Sequence, residues 1–154
     1  MLDVDGVLSP MPQTPKFPSE WGSWDHLDVP WRFSQLHLSL EMGIALGTLA
    51  AELCWLTTWD AAANDIIAPH FGWSPLPVVQ RHPYPAVVGK YHAVAEYATV
   101  GESFIWAEDD IPALDVDGPL FQVGFPYLVV NPDPEIGLTR ADVAVMNAFI
   151  EEHG

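Results

Sequence analysis

Short apolar runs that stop abruptly at polar residues, separated by stretches of helical character, set the frame for this chain. Glu52 to Leu56 ends at Thr57-Thr58, Ser103 to Ala107 ends at Glu108-Asp109-Asp110, and Tyr127 to Val130 forms another such run. Runs of this length, bounded in this way, suit buried strands better than helices. Helix signals lie between and after them. Asp60 can cap a helix reaching about His70 and stopped near Gly72; Lys90 opens a second over Tyr91 to Ala98. Thr139 starts a third, with Asp142 three residues on as a capping partner and Val143, Met146 and Ile150 on one face. The alternation predicts an α/β fold with a doubly wound, mostly parallel sheet covered by helices on both faces.

The remaining segments carry mixed signals. Leu36, Leu40 and Ile44 predict a helix over Ser34 to Ala51, although Leu36, Leu38, Leu40 and Met42 also fit a period of two; the length of the segment favours the helix. Leu76 to Val79 gives a weak strand signal, and Pro83 and Pro85 make the following segment a loop. Residues 9 to 33 interleave Pro10, Pro12, Pro15, Pro18 and Pro30 with Phe17, Trp21, Trp24, Trp31 and Phe33. Prolines block regular pairing while aromatics need burial, so this stretch is expected to be a packed loop or flap within a single domain over 1 to 154.

Charge narrows the function. Five Lys and Arg against 21 Asp and Glu give a net charge of −16. Such a field opposes binding of long nucleic acid and of anionic membranes. The longest uncharged stretches, Ile66 to Gln80 and Gly118 to Pro132, contain prolines and fall short of the about 20 apolar residues a membrane span needs. With Asp3 and Asp5 at the start, no secretory signal pattern is present, and a cytoplasmic protein is expected. The single cysteine, Cys54, fits a small core residue.

In open parallel sheets, function gathers at the carboxyl ends of the strands. Four polar features fall at or near such ends: Asp3-Val4-Asp5-Gly6, Thr57, Lys90 and Glu108-Asp109-Asp110. If they converge, several carboxylates crowd one pocket, which a divalent cation would relieve. Oxygen-only ligands without a cysteine set or a paired histidine spacing favour Mg²⁺. Lys90, one of two lysines, would suit an anionic substrate whose charge grows in the transition state. A second Asp-Val-Asp-Gly at Asp115 to Gly118, followed by Pro119, is expected to be a turn. The six histidines show no metal-ligand spacing.

In this order, Asp3-Val4-Asp5-Gly6-Val7-Leu8, Thr57, Lys90 and Glu108-Asp109-Asp110 resemble the four motifs of the haloacid dehalogenase-like superfamily. Trp55-Leu56-Thr57-Thr58-Trp59, Trp106 to Asp110 and Gly137-Leu138-Thr139 are similar to the phosphatase-like domain of Swiss Army Knife RNA repair proteins. The resemblance implies a phosphohydrolase with Asp3 as nucleophile and Asp5 as general acid and base. Thr57, with Thr58 as fallback, and Lys90 would bind the phosphoryl group. Asp3, the Asp5 carbonyl and either Glu108 or Asp109 would hold Mg²⁺. Glu108 stands where relatives tend to show Asp, and only Met1 and Leu2 precede Asp3, so the first strand is either clipped or begins upstream. The motif spacing leaves no room for a large cap domain. The expected partner is a phosphorylated substrate, a nucleic-acid end among the options. Two rivals are a weakly active or inactive binding module that uses Trp21, Trp24 and Trp31 as exposed loop residues, and a phosphotransferase built on the same residues.

Overall fold

The computed structural model describes residues 1–11, 13, 15–32, 34–99, 102–111 and 125–154. The turn expected at Asp115 to Gly118 lies outside them, as do Pro12 and Phe33 of the aromatic stretch. Among the described residues, the chain is mixed α/β, with four helices and two small sheets. A 3-10 turn at Ser19–Trp21 precedes β1 (Asp25–Leu27) and β2 (Leu36–Leu38), which pair antiparallel. α1 (Leu40–Gly47), α2 (Ala62–His70) and α3 (Ala86–Tyr97) follow, then β3 (Phe104–Ala107) and β4 (Tyr127–Val130), which pair parallel, and α4 (Arg140–His153). No helix among these residues is long and apolar enough to cross a membrane.

Isolated bridges extend the parallel pairing beyond β3 and β4. Leu2 bridges both Ala107 and Trp55, and Trp55 bridges Val78, all parallel. The spatial order is therefore Val78, Trp55, Leu2, β3, β4, with the direction of chain progression reversing at Leu2. The runs at Glu52 to Leu56 and Leu76 to Val79 thus contribute parallel pairing, as single bridges rather than full strands. At the central position the Met1 amine donates to the Ile105 carbonyl, Asp3 N to the Ala107 carbonyl and Leu2 N to the Cys54 carbonyl.

Successive residues of these segments point to opposite faces, as extended backbone requires. Leu2, Trp55, Ala107 and Val130 join Met42 and Leu46 of α1, Ile67 of α2 and Val143 and Met146 of α4 in one apolar cluster. Met1, Leu56, Phe104 and Trp106 join Tyr91, Ala93 and Val94 of α3 in a second. The parallel layer therefore carries α3 on one face and the other helices on the opposite face. Cys54 is half-buried against the second cluster.

Helix starts differ from the sequence expectation in instructive ways. α4 begins as predicted: Thr139 accepts from Asp142 N, and the Asp142 carboxylate takes the Thr139 N–H. Ser34 to Ala51 is not one helix. Leu36 to Leu38 take the period-two alternative and are buried as β2, because β1 supplies a partner strand; Ser39 then caps α1 from Met42 N. Asp60 does not cap α2; it adopts a left-handed conformation (φ 48°) in the turn before it, and the helix starts at Ala62. α3 starts a turn before Lys90, directly after Pro85, whose ring cannot continue a helix backwards.

Part of the 9 to 33 stretch is ordered pairing rather than irregular loop, since it contains β1. Trp21, expected as exposed, is fully buried and donates its indole N–H to the Leu138 carbonyl, while Trp31 is 60% exposed.

Candidate active site at the carboxyl ends of the parallel segments

Each acid at the centre of the site follows the last residue of a parallel segment. Asp3 follows Leu2, and Glu108 follows Ala107 with its N–H donating to the Val130 carbonyl of β4. Asn131 extends β4 and donates to the carbonyls of Glu108 (2.7 Å) and Asp109 (2.9 Å), so it fixes the bend that presents both acids. Gly6 lies opposite with φ 72°. A Cβ there would come within 2.3 Å of the Asp109 carboxyl carbon, so only glycine admits both the turn and the acid.

Lys90 reaches the same place from α3. Its Nζ lies 2.7 Å from Asp3 Oδ2 and donates to Glu108 Oε2 at 2.7 Å, and the three side chains are 5%, 6% and 1% exposed. Gly89 permits this approach, because a Cβ there would meet the His82 carbonyl at 2.4 Å. Glu108 Oε1 accepts from Asp110 N at 3.3 Å. Asp3, Glu108 and Asp109 each offer a carboxylate oxygen within 4.8 Å of the others, so the cluster could hold a metal ion.

The electrostatics follow from three buried or half-buried carboxylates facing one ammonium. Burial, with the Asp3 charge next, drives the Glu108 carboxyl from 4.5 up to about 8, Lys90 pulling the other way. Burial and Asp3 likewise raise Asp109. Burial works against the Lys90 ammonium, but the attraction of Asp3 and Glu108 overcomes it and holds Lys90 above its ordinary value. The site is short of positive charge, and protons or a cation must supply it.

Asp5 is placed differently from Asp3. Its Oδ1 pairs with Arg32 Nη1 at 2.6 Å, and its Oδ2 accepts from the Trp59 indole at 2.9 Å. The Arg32 guanidinium also lies 5.0 Å from the Trp59 ring centre. Thr57 is buried at the end of the neighbouring segment, its hydroxyl oxygen accepting from Trp59 N at 3.3 Å, whereas Thr58 is exposed. The structure thus joins Asp3, Lys90, Glu108 and Asp109 directly. Asp5 and Thr57 are linked to each other through Trp59, whose backbone N–H donates to Thr57 and whose indole donates to Asp5.

The sequence assigns no role to Arg32 or Asn131, and names Trp59 only within the Trp55 to Trp59 run. Asn131 carried one signal, a polar residue directly after the β4 apolar run. Arg32 carried only its rarity among five cationic residues. Among the histidines, His26 and His37 lie opposite each other across β1 and β2, with Nδ1 atoms 2.7 Å apart. His92 packs with His82 and Tyr84. Compared with family models, curated proteins and solved structures, the chain finds no match in any of the three.

Proposed function

We propose that the chain is a Mg²⁺-dependent phosphomonoester hydrolase working through a phosphorylated Asp3, on a doubly wound fold of the haloacid dehalogenase-like type. The observation that carries this reading is the buried Asp3, Lys90 and Glu108 cluster with Asp109 beside it, at the point where the order of parallel segments reverses. In doubly wound sheets that is where ligands bind. The four motifs named from the sequence occupy the ends of neighbouring parallel segments or, for Lys90, reach into them.

In the proposed reaction, Asp5 enters protonated, its pairing with Arg32 released; an Asp3 oxygen attacks phosphorus while the bond to the leaving oxygen breaks, and the leaving oxygen takes the bonding pair and a proton from Asp5. Asp5 then removes a proton from water as the water oxygen attacks the phosphoaspartate, releasing inorganic phosphate and restoring Asp3. The sum consumes one ester and one water and yields one alcohol and one phosphate. Lys90 neutralises Asp3 and the transferring group, and Thr57 offers a hydroxyl to a phosphoryl oxygen. Asp3, Glu108 and Asp109, with the Asp5 carbonyl, would hold Mg²⁺; the all-oxygen donor set and the excess of carboxylate fit such an ion. When bound, the cation supplies charge neutralisation at the phosphoryl oxygens.

A noncatalytic binding module would tolerate a Lys90 turned away from Asp3; the two contacts at 2.7 Å count in favour of the hydrolase. Hydrolysis of 4-nitrophenyl phosphate with and without Mg²⁺, for wild type beside Asp3→Asn, tests the reading. Mg²⁺-dependent turnover that Asp3→Asn abolishes is the expected result. Full activity in Asp3→Asn would remove Asp3 from the mechanism.

A further inference from the structure

The turn between β1 and β2 brings Arg32 to Asp5 and Trp31 to Asp5's partner Trp59. Arg32 pairs with the carboxylate, and Trp31 packs edge-on against Trp59 with ring centres 6.2 Å apart. Trp59 is 8% exposed and fixed by its bond to Asp5, while Trp31 keeps 60% of its surface open, the largest share among the exposed large apolar side chains described. An indole left this open, beside a buried and anchored one, has an uncommitted aromatic surface.

Position gives that surface a meaning. In the proposed reaction, Asp5 touches the oxygen that departs, and Trp59, which bonds Asp5, packs against Trp31, so Trp31 stands one ring removed from the residue that meets the leaving group. We infer that Trp31, supported by Trp59 and Arg32, is the leaving-group subsite and that it selects phosphomonoesters whose leaving alcohol carries a flat aromatic ring, as in a nucleoside 5′-phosphate. The inference rests on the hydrolase reading and adds the substrate class to it. The chain's net charge of −16 disfavours a second phosphate at this subsite. A neutral ring lying on Trp31 fits, and a bisphosphate or a long polyanion does not. Stacking is tolerant of base identity because every base presents a π-face.

Adenosine 5′-monophosphate and ribose 5-phosphate provide the test, because they share the scissile bond and the primary alcohol that leaves, and differ in the base. The ratio of their kcat/KM values with Mg²⁺ is measured for wild type, Trp31→Ala and Trp31→Phe. Wild type is expected to favour the nucleotide by about tenfold or more, Trp31→Ala to bring the ratio close to one, and Trp31→Phe to retain most of it. Calorimetric titration of both compounds into Asp3→Asn, with and without Trp31→Ala, reads the same preference without turnover. Equal handling of the two compounds by wild type, or a ratio untouched in Trp31→Ala, overturns the inference and leaves the hydrolase reading standing. Absence of hydrolysis with a Trp31-dependent binding preference does the opposite: the hydrolase reading falls and the aromatic subsite stands. Absence of any binding preference overturns the inference whether or not turnover is seen.

Discussion

Replacing Glu108 by Gln removes one of the two carboxylates that share the Lys90 ammonium, and the consequence for stability has a definite sign with pH. In the chelated protein the Glu108 carboxyl is raised from 4.5 to about 8, chiefly by burial. The folded chain therefore holds a proton that the unfolded chain releases, and stability falls as pH rises from the lower value through the upper one. The slope of this contribution is about 1.4 kcal/mol per pH unit. From about pH 5.5 to about pH 7.5 the expected loss is roughly 2 to 3 kcal/mol. Asp109, also raised, adds in the same direction. Burial holds the His37 imidazole and the Met1 amine below their ordinary values, and these groups favour folding as pH rises, so the raw curve is a balance of opposed effects. The readout is the difference between two urea-denaturation series in chelator, wild type minus Glu108→Gln. That difference should fall with pH across the window. Parallel curves would refute the argument, because a carboxylate already ionised in the fold has no proton to lose.

The other predictions concern neighbouring residues. Lys90→Met strands Asp3 and Glu108 in the interior and should cost about 3 to 5 kcal/mol at pH 8, less at pH 6 as the acids take up protons; urea denaturation at both values checks it. Gly6→Ala places a Cβ on the Asp109 carboxyl and asks alanine for φ 72°, so it should lose about 1 to 2 kcal/mol of stability in thermal unfolding and, on the proposed reading, weaken Mg²⁺ binding in calorimetry. Thr139→Ala removes the cap of α4 and should cost about 1 kcal/mol in the same unfolding assay.

How much of this was legible in the sequence depended on how local the governing interaction was. The α4 cap, the β3 and β4 runs and the acids at the end of β3 are decided within a few residues, and each appears where the pattern placed it. Leu36 to Leu38 went the other way. Their side chains fit both periods, and the choice fell to a partner strand about ten residues upstream that the proline-rich composition concealed. Lys90 was named from its scarcity, but its value comes from α3 starting a turn earlier, so that Lys90 lies within a formed helix instead of at its fraying end.

The division within the site has the same origin. Asp3, Glu108 and Asp109 inherit their positions from the parallel pairing, so placing the strands places the acids. Arg32 inherits its position from the turn between β1 and β2, 27 residues from Asp5, and Trp59 its position from the turn before α2, 54 residues from Asp5, and no periodicity in either segment encodes their meeting at Asp5. The charge-bearing centre is thus a property of the sheet, and the surroundings of Asp5 are a property of two turns, of which the one between β1 and β2 carries Trp31. A loop can change its sequence without disturbing the pairing of Leu2 with Trp55 and Ala107, because none of those hydrogen bonds involves it. On the proposed reading, the chemistry at Asp3 and the choice of leaving group at Trp31 are therefore separable: substitutions at Trp31 should redirect preference among esters, whereas substitutions at Lys90 should damage every ester alike.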